Sequence, residues 1–174
     1  INYTRAYTTF AVKVFCDALL PHNEGGIRPI KTTAREGSFF NPTFPAASGG
    51  RATVQIRIFD AINGALSQAL PHRAMGAFSH WNNPNIGGTD PRTGKSFVMY
   101  DLGFGGYGAR ADSDGPEALA PVVNCRNIPI EVHEHNNPVR IKKLELITDS
   151  GGAGQYRGGC GLRKDIELLA DQAT

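Results

Sequence analysis

Cysteine is scarce in this 174-residue chain. Cys16, Cys125 and Cys160 stand far apart, odd in number and without a C-x-x-C pair, so neither a disulfide scaffold nor a zinc ribbon is encoded. A reduced, cytoplasmic setting is expected. Long apolar runs are missing too: none approaches the roughly 18 residues of a membrane helix, and there is no basic-then-apolar leader. No block of five basic residues exists and the net charge is only +2, which leaves nucleic acid no electrostatic footprint. No serine sits in a G-x-S-x-G elbow, and neither Cys125 nor Cys160 has a histidine beside it, so no nucleophile is marked.

What the chain has in excess is glycine. Its 21 glycines are nearly twice what average usage of roughly 7% supplies. With 11 prolines they predict sharp turns and ordered loops, because they are dispersed among apolar stretches. From about Thr4 to Leu20, Tyr7, Phe10, Ala11, Val14 and Phe15 recur at helical spacing, and Pro21 ends the run. Asn23-Glu24-Gly25-Gly26 reads as a turn, and residues 39–50 as an extended loop. A second helix is predicted from about Ala52 to Leu70, with a buried stripe of Val54, Ile58, Ala61, Ile62, Ala65, Leu66 and Ala69. Gly64 inside it suggests close packing. Strands are predicted at 97–102, 128–135, 139–147 (with a bulge at Lys142-Lys143) and 162–169. The order predicts an α+β fold in which two amphipathic helices pack on mainly antiparallel strands joined by glycine-rich loops.

Three motifs invite a chemical reading. Gly103-Phe104-Gly105-Gly106-Tyr107-Gly108 satisfies G-x-G-x-x-G, but helix-breaking residues follow where a helix N-terminus must face a pyrophosphate. Thr93-Gly94-Lys95-Ser96 imitates the end of a P-loop; the upstream glycine, Gly88, is one residue out of place, so a hairpin turn is expected. His133-Glu134-His135 on a strand would put two imidazoles on one face, as a metal pair or, more plainly, as a solvent-facing strand end. Outside these motifs, His80, Asn82 and Asn83 converge with an aromatic on a loop, either as a site or as capping groups. Arg110 and Arg157 can grip a carboxylate or phosphate, or pin their own glycine loops. Asn124, Arg126 and Asn127, with Glu131 as the nearest anion, suggest a polar network, and Asp114 follows the first glycine run. Six glycines among residues 151–161 imply positive φ or close approach, in a packed turn or an anion-binding loop.

Taken in order, several segments carry a family resemblance. They are residues 23–30, 36–38, 41–42, 45–47, 64–71, 105–110, 114–115 and 124–132, and finally Asp149-Ser150-Gly151-Gly152-Ala153-Gly154-Gln155-Tyr156-Arg157-Gly158-Gly159. Together they resemble the C-terminal part of the hydantoinase B/oxoprolinase family, which includes the large subunits of acetone and acetophenone carboxylases. The chain departs from that pattern at Thr53-Val54-Gln55 and at the histidine-rich 133–135.

The resemblance implies ATP-driven attack on a cyclic amide such as a hydantoin or 5-oxoproline. Alternatives are ketone carboxylation, or a non-catalytic module that docks a partner. It also implies a hydantoinase A-type partner that activates substrate by phosphorylation. The family's His and Asp metal ligands lie upstream, so ATP and a divalent metal are implied for the intact complex and no metal ligand is transferred to this chain. Residues 1–174, which start at Ile1, are expected to be a single C-terminal fragment or domain of a larger hydantoinase B-like protein. Such a piece would be inactive alone and prone to self-association.

Overall fold

A computed structural model of the protein describes residues 2–80, 82–120, 126–171 and 173. These form two compact units: residues 1–77 with 110–112, and residues 78–109 with 113–174.

In unit 1, the helical spacing of the first segment produces α1 (Asn2–Asp17), which buries Ala11 and Phe15. Its last carbonyls, which lack partners within the helix, are taken by cations. Lys13 Nζ donates to Asp17 O and Leu20 O, both at 2.9 Å, and the Arg73 guanidinium to Phe15 O and Cys16 O, both at 2.8 Å. Residues 23–26, expected as a plain turn, open the one-turn helix α2 (Glu24–Ile27); Asn23 caps it by accepting from Gly26 N at 3.0 Å. Helix α3 (Arg51–Leu66) packs against α1, with the Phe10 and Phe59 rings 6.0 Å apart.

The inward face of α3 differs from the expected one. Gln55, Ile56, Phe59 and Asn63 are buried, at i, i+1, i+4 and i+8, whereas Val54 and Ile58 are half-buried and line an open groove. A buried glutamine and asparagine hide this face from any reading based on apolar residues, and Asn63 Nδ2 is held by Met75 O at 3.2 Å. Gly64 also departs from expectation: it is exposed, and a Cβ there would meet nothing within 4 Å.

In unit 2, β1 (Asn85–Asp90) and β2 (Lys95–Tyr100) form an antiparallel hairpin. The turn expected at 93–96 is present, with Gly94 at φ 67° and its N–H on Asp90 O at 2.8 Å. Strand β1 gives no apolar alternation in Asn85-Ile86-Gly87-Gly88-Thr89-Asp90, which is why only its partner is predictable. Pairing continues in register beyond the hairpin: Asp101 N donates to Pro84 O at 3.1 Å, and Asn82 pairs with Gly103.

Residues 130–136 contradict the predicted strand. They form α4 (Ile130–Asn136), started by Pro129 and closed by Asn137, whose backbone and side-chain N–H groups both bond His133 O. The β-branched Ile130 and Val132 favour a strand locally, but the helix lets His133 point inward, and tertiary packing overrides propensity. The sheet β3 (Val139–Leu146) with β4 (Leu162–Leu168) is antiparallel, and the bulge falls at Lys142 as expected. Glu134 Oε1 accepts from Ile141 N at 2.8 Å beside that bulge.

The glycine loops of unit 2 interleave. Tyr107 N donates to Pro116 O, Gly159 N to Tyr107 O and Gly115 N to Arg157 O, at 2.8 to 2.9 Å. A Cβ on Gly106 would overlap Gly159 O, and one on Gly159 would overlap Pro116 O. Among the described glycines positive φ occurs at Gly37 and Gly94, so close approach rather than left-handed backbone explains the run after β3. The architecture is mixed helix and sheet of the α+β kind, with two small antiparallel sheets. The two long helices pack on each other, not on a sheet as expected. No described helix is long and apolar enough to cross a membrane.

Candidate functional site

Strand alternation places side chains two apart on one face. On the β2 side this puts Phe97, Met99 and Asp101 in one buried row, and on β4 it aligns Leu162, Lys164 and Ile166. A charged residue therefore occupies an inward position in each row. The two charges meet: Lys164 Nζ lies 2.5 Å from Asp101 Oδ2, with the lysine side chain 13% exposed. From α4, His133 Nε2 lies 3.2 Å from Asp101 Oδ1, which also accepts the Leu102 N–H at 2.8 Å. Asp101 and His133 are 2% and 3% exposed.

Burial alone would push the Asp101 carboxyl up. The Lys164 ammonium and the Leu102 N–H, with His133 behind them, outweigh it and hold the carboxyl below its usual value. Asp101 is thus an anion that can only accept, so the imidazole nitrogen facing it carries the proton. Both carboxylate oxygens are engaged. Asp101 is accordingly a fixed orienting group, not a free base.

Lys164 and Asp101 form part of the wall of a cleft of about 330 Å³. Ser79, His80 and Asn82 add polar groups, and Phe104, Leu162 and Ile166 are apolar lining. That volume suits a small molecule, and an apolar lining with a few convergent polar groups is the usual make-up of such a site.

Of the residues singled out in the sequence, His80 and Asn82 line the cleft. Asn83 is next to them, with a buried side-chain oxygen that has no hydrogen-bond partner among the described residues. Arg110 pairs through its backbone with Met75 in unit 1. Arg157 and Asp114 come together in a loop clamp. The Asp114 carboxylate accepts the Arg157 backbone N–H at 2.8 Å, and the guanidinium donates to Glu117 Oε1 at 2.7 Å and to Cys160 Sγ at 3.3 Å. Glu117 foremost, then Cys160, raises the Arg157 pKa. This arginine therefore pins glycine loops, one of the two roles open to it. Arg126 and Glu131 are exposed, the latter in the first turn of α4, and Asn124 lies outside the described residues.

The His133–His135 pair is not on one face, because it stands on a helix, where residues two apart diverge. His133 is buried on Asp101 and His135 is exposed. Among the described residues no group of three or more His, Cys, Asp or Glu could hold a metal. Asp101 and Lys164 are not among the site residues expected from sequence. Their signal is a charge in the inward register of an otherwise apolar strand, where charges are rarely buried unless paired.

The protein-family model described as Hydantoinase B/oxoprolinase matches residues 1–174. The B-type subunit of a putative D-/L-hydantoinase from Pseudomonas sp. (strain NS671) is 34% identical over 160 residues, 87% of this chain and 25% of that protein. The crystal structure of the ATP-dependent caprolactamase from Pseudomonas jessenii superposes with a TM-score of 0.78 at 30% identity, over 94% of this chain and 30% of that one. The nucleotide-free structure of acetone carboxylase gives a TM-score of 0.72 at 19% identity, covering 89% and 22%, a likeness of fold alone. The chain thus spans about a quarter to a third of the length of these relatives.

Proposed function

The chain belongs to the hydantoinase B/oxoprolinase family, and from that membership we propose that it is the C-terminal part of a B-type subunit whose complex uses ATP to open a cyclic amide. The reading is supported by the relatives named as a hydantoinase of the B type and an ATP-dependent caprolactamase. Ketone carboxylation has only a resemblance of fold behind it. The multi-subunit names of the relatives favour a partner of the hydantoinase A type, and the setting is cytoplasmic.

The contribution of this chain is a wall of the substrate site, and the observation that carries its location is the Asp101–Lys164 pair in the unit 2 cleft. ATP and a divalent metal belong to the rest of the complex. The described residues do not fit a metal, since the Asp101 oxygens are already taken by Lys164, His133 and Leu102 N–H. What these residues do is bind and orient. Lys164 presents a held ammonium, Asp101 and His133 keep it in place, and Phe104, Leu162 and Ile166 shield the hydrocarbon part of a ring from water.

The test is to assemble the intact complex and supply ATP with a hydantoin, 5-oxoproline or caprolactam, and separately with a ketone and bicarbonate. ATP-dependent ring opening is expected, and carboxylation without ring opening would sink the reading. The isolated chain should open no ring. Turnover by it alone would overturn the claim that its site is incomplete.

A further inference from the structure

We propose that the unit 2 cleft is a subsite for an anionic oxygen group, the carboxylate of a small cyclic amide, with the Lys164 ammonium as its anchor and Asp101 and His133 as positioning residues. The identity of the ligand rests on the ring-opening reading; the subsite itself rests on geometry.

The argument is an inventory of donors and acceptors. Asp101 is the one strong acceptor lining the cleft, and it is saturated by Leu102 N–H, His133 Nε2 and Lys164 Nζ. The Lys164 ammonium has three N–H bonds, and Asp101 is its hydrogen-bond partner among the described residues. The lining offers further donors in the Ser79 hydroxyl, the Asn82 amide and the His80 imidazole. A cleft so built is short of acceptors, and it suits a ligand rich in them. Two donors besides Lys164 disperse the Asp101 charge on the side away from the ammonium, so the pair still presents its positive end. Asp101 also restrains the lysine before any ligand arrives, which lowers the ordering cost of binding. Phe104, Leu162 and Ile166 accept a ring but offer no hydrogen bond.

A substrate carboxylate and a phosphoryl group from ATP present the same acceptor oxygens, and the experiment separates them. The whole B-type protein is titrated calorimetrically with 5-oxoproline, with its carboxylate-free counterpart 2-pyrrolidinone, and with inorganic phosphate. Lys164→Met leaves a buried carboxylate unpaired and risks unfolding, so Asp101→Asn/Lys164→Met, which removes both charges, is measured beside it. Loss of a charge-assisted hydrogen bond predicts roughly 10- to 100-fold weaker binding of 5-oxoproline to the double variant. Lys164→Arg should restore most of the affinity, and 2-pyrrolidinone should change by less than about threefold. His133→Asn should weaken 5-oxoproline and spare 2-pyrrolidinone; equal loss of both would mark His133 as merely structural and overturn its positioning role.

Binding of phosphate without 5-oxoproline would overturn the carboxylate assignment. Equal binding of 5-oxoproline to wild type and double variant, or none to either, would overturn the subsite. If 5-oxoproline binds through Lys164 but the complex opens no ring, the subsite stands and the ring-opening reading fails. Ring opening with variants that bind normally means the reverse.

Discussion

In unit 1, α1 and α3 meet through side chains, Phe10 against Phe59, and leave beside them a groove of about 800 Å³ lined by Tyr7, Phe39, Phe40, Phe44, Val54 and Ile58. In unit 2, loops meet through backbone, glycine against carbonyl, around a buried Asp101–Lys164–His133 cluster. The difference lies in what each can tolerate. Side-chain packing on a helix surface leaves room: Phe44 is 98% exposed and Gly64 touches nothing. Backbone packed on backbone leaves none, because a carbonyl cannot rotate away as a side chain can.

The sharpest way to break this comparison is Gly106→Ala, whose Cβ would overlap Gly159 O. We expect a loss above roughly 4 kcal/mol, the exceptional end of single substitutions. A urea midpoint close to wild type would show that the loops yield. Next in size is Lys164→Met, which strands the buried Asp101 charge and should destabilise by about 3–5 kcal/mol, with Asp101→Asn/Lys164→Met recovering much of it. Thermal unfolding of both variants checks this, and a double variant no better than the single one would mean the ion pair is not what fails.

Acid sharpens the same point. The folded Asp101 carboxyl lies below its unfolded value of about 3.9. The stability it contributes is therefore complete above that value and lost as pH falls through the folded one. Urea midpoints should decline below about pH 4, and less steeply in Asp101→Asn. An unchanged acid slope in that variant would disconnect Asp101 from the effect. In unit 1, by contrast, Gly64→Ala should raise stability by up to ~1 kcal/mol, since it improves helix propensity and meets open space. Smallest of all, Phe44→Ser should shift stability by less than about 0.5 kcal/mol. It should nevertheless reduce concentration-dependent association of the chain seen by light scattering, because it removes exposed apolar surface.

Legibility follows the same division. Both long helices are readable from spacing and from Pro21, and the hairpin turn and the Lys142 bulge from broken patterns. The α3 face escapes such a reading because Gln55 and Asn63, polar residues, are buried there. Helix α4 escapes it because Ile130 and Val132 carry strand propensity, while the inward residue, His133, carries no apolar signal. Of the site, His80 and Asn82 are visible from their loop chemistry. His133 and Lys164 stand 32 and 63 residues from Asp101 in the chain, and nothing local ties the three together.

By itself, then, the sequence determined the family, the class of fold and the positions of the glycine-rich turns, because each is written in local order: a motif, a period or a breaker. Tertiary structure alone decided why those glycines are needed and which charges meet. A glycine is required at 106 only because the Gly159 carbonyl arrives there, and Lys164 becomes an anchor only because Asp101 is carried opposite it. Contacts between strands distant in sequence have no local signature, and it is they that turn two misplaced charges into a site.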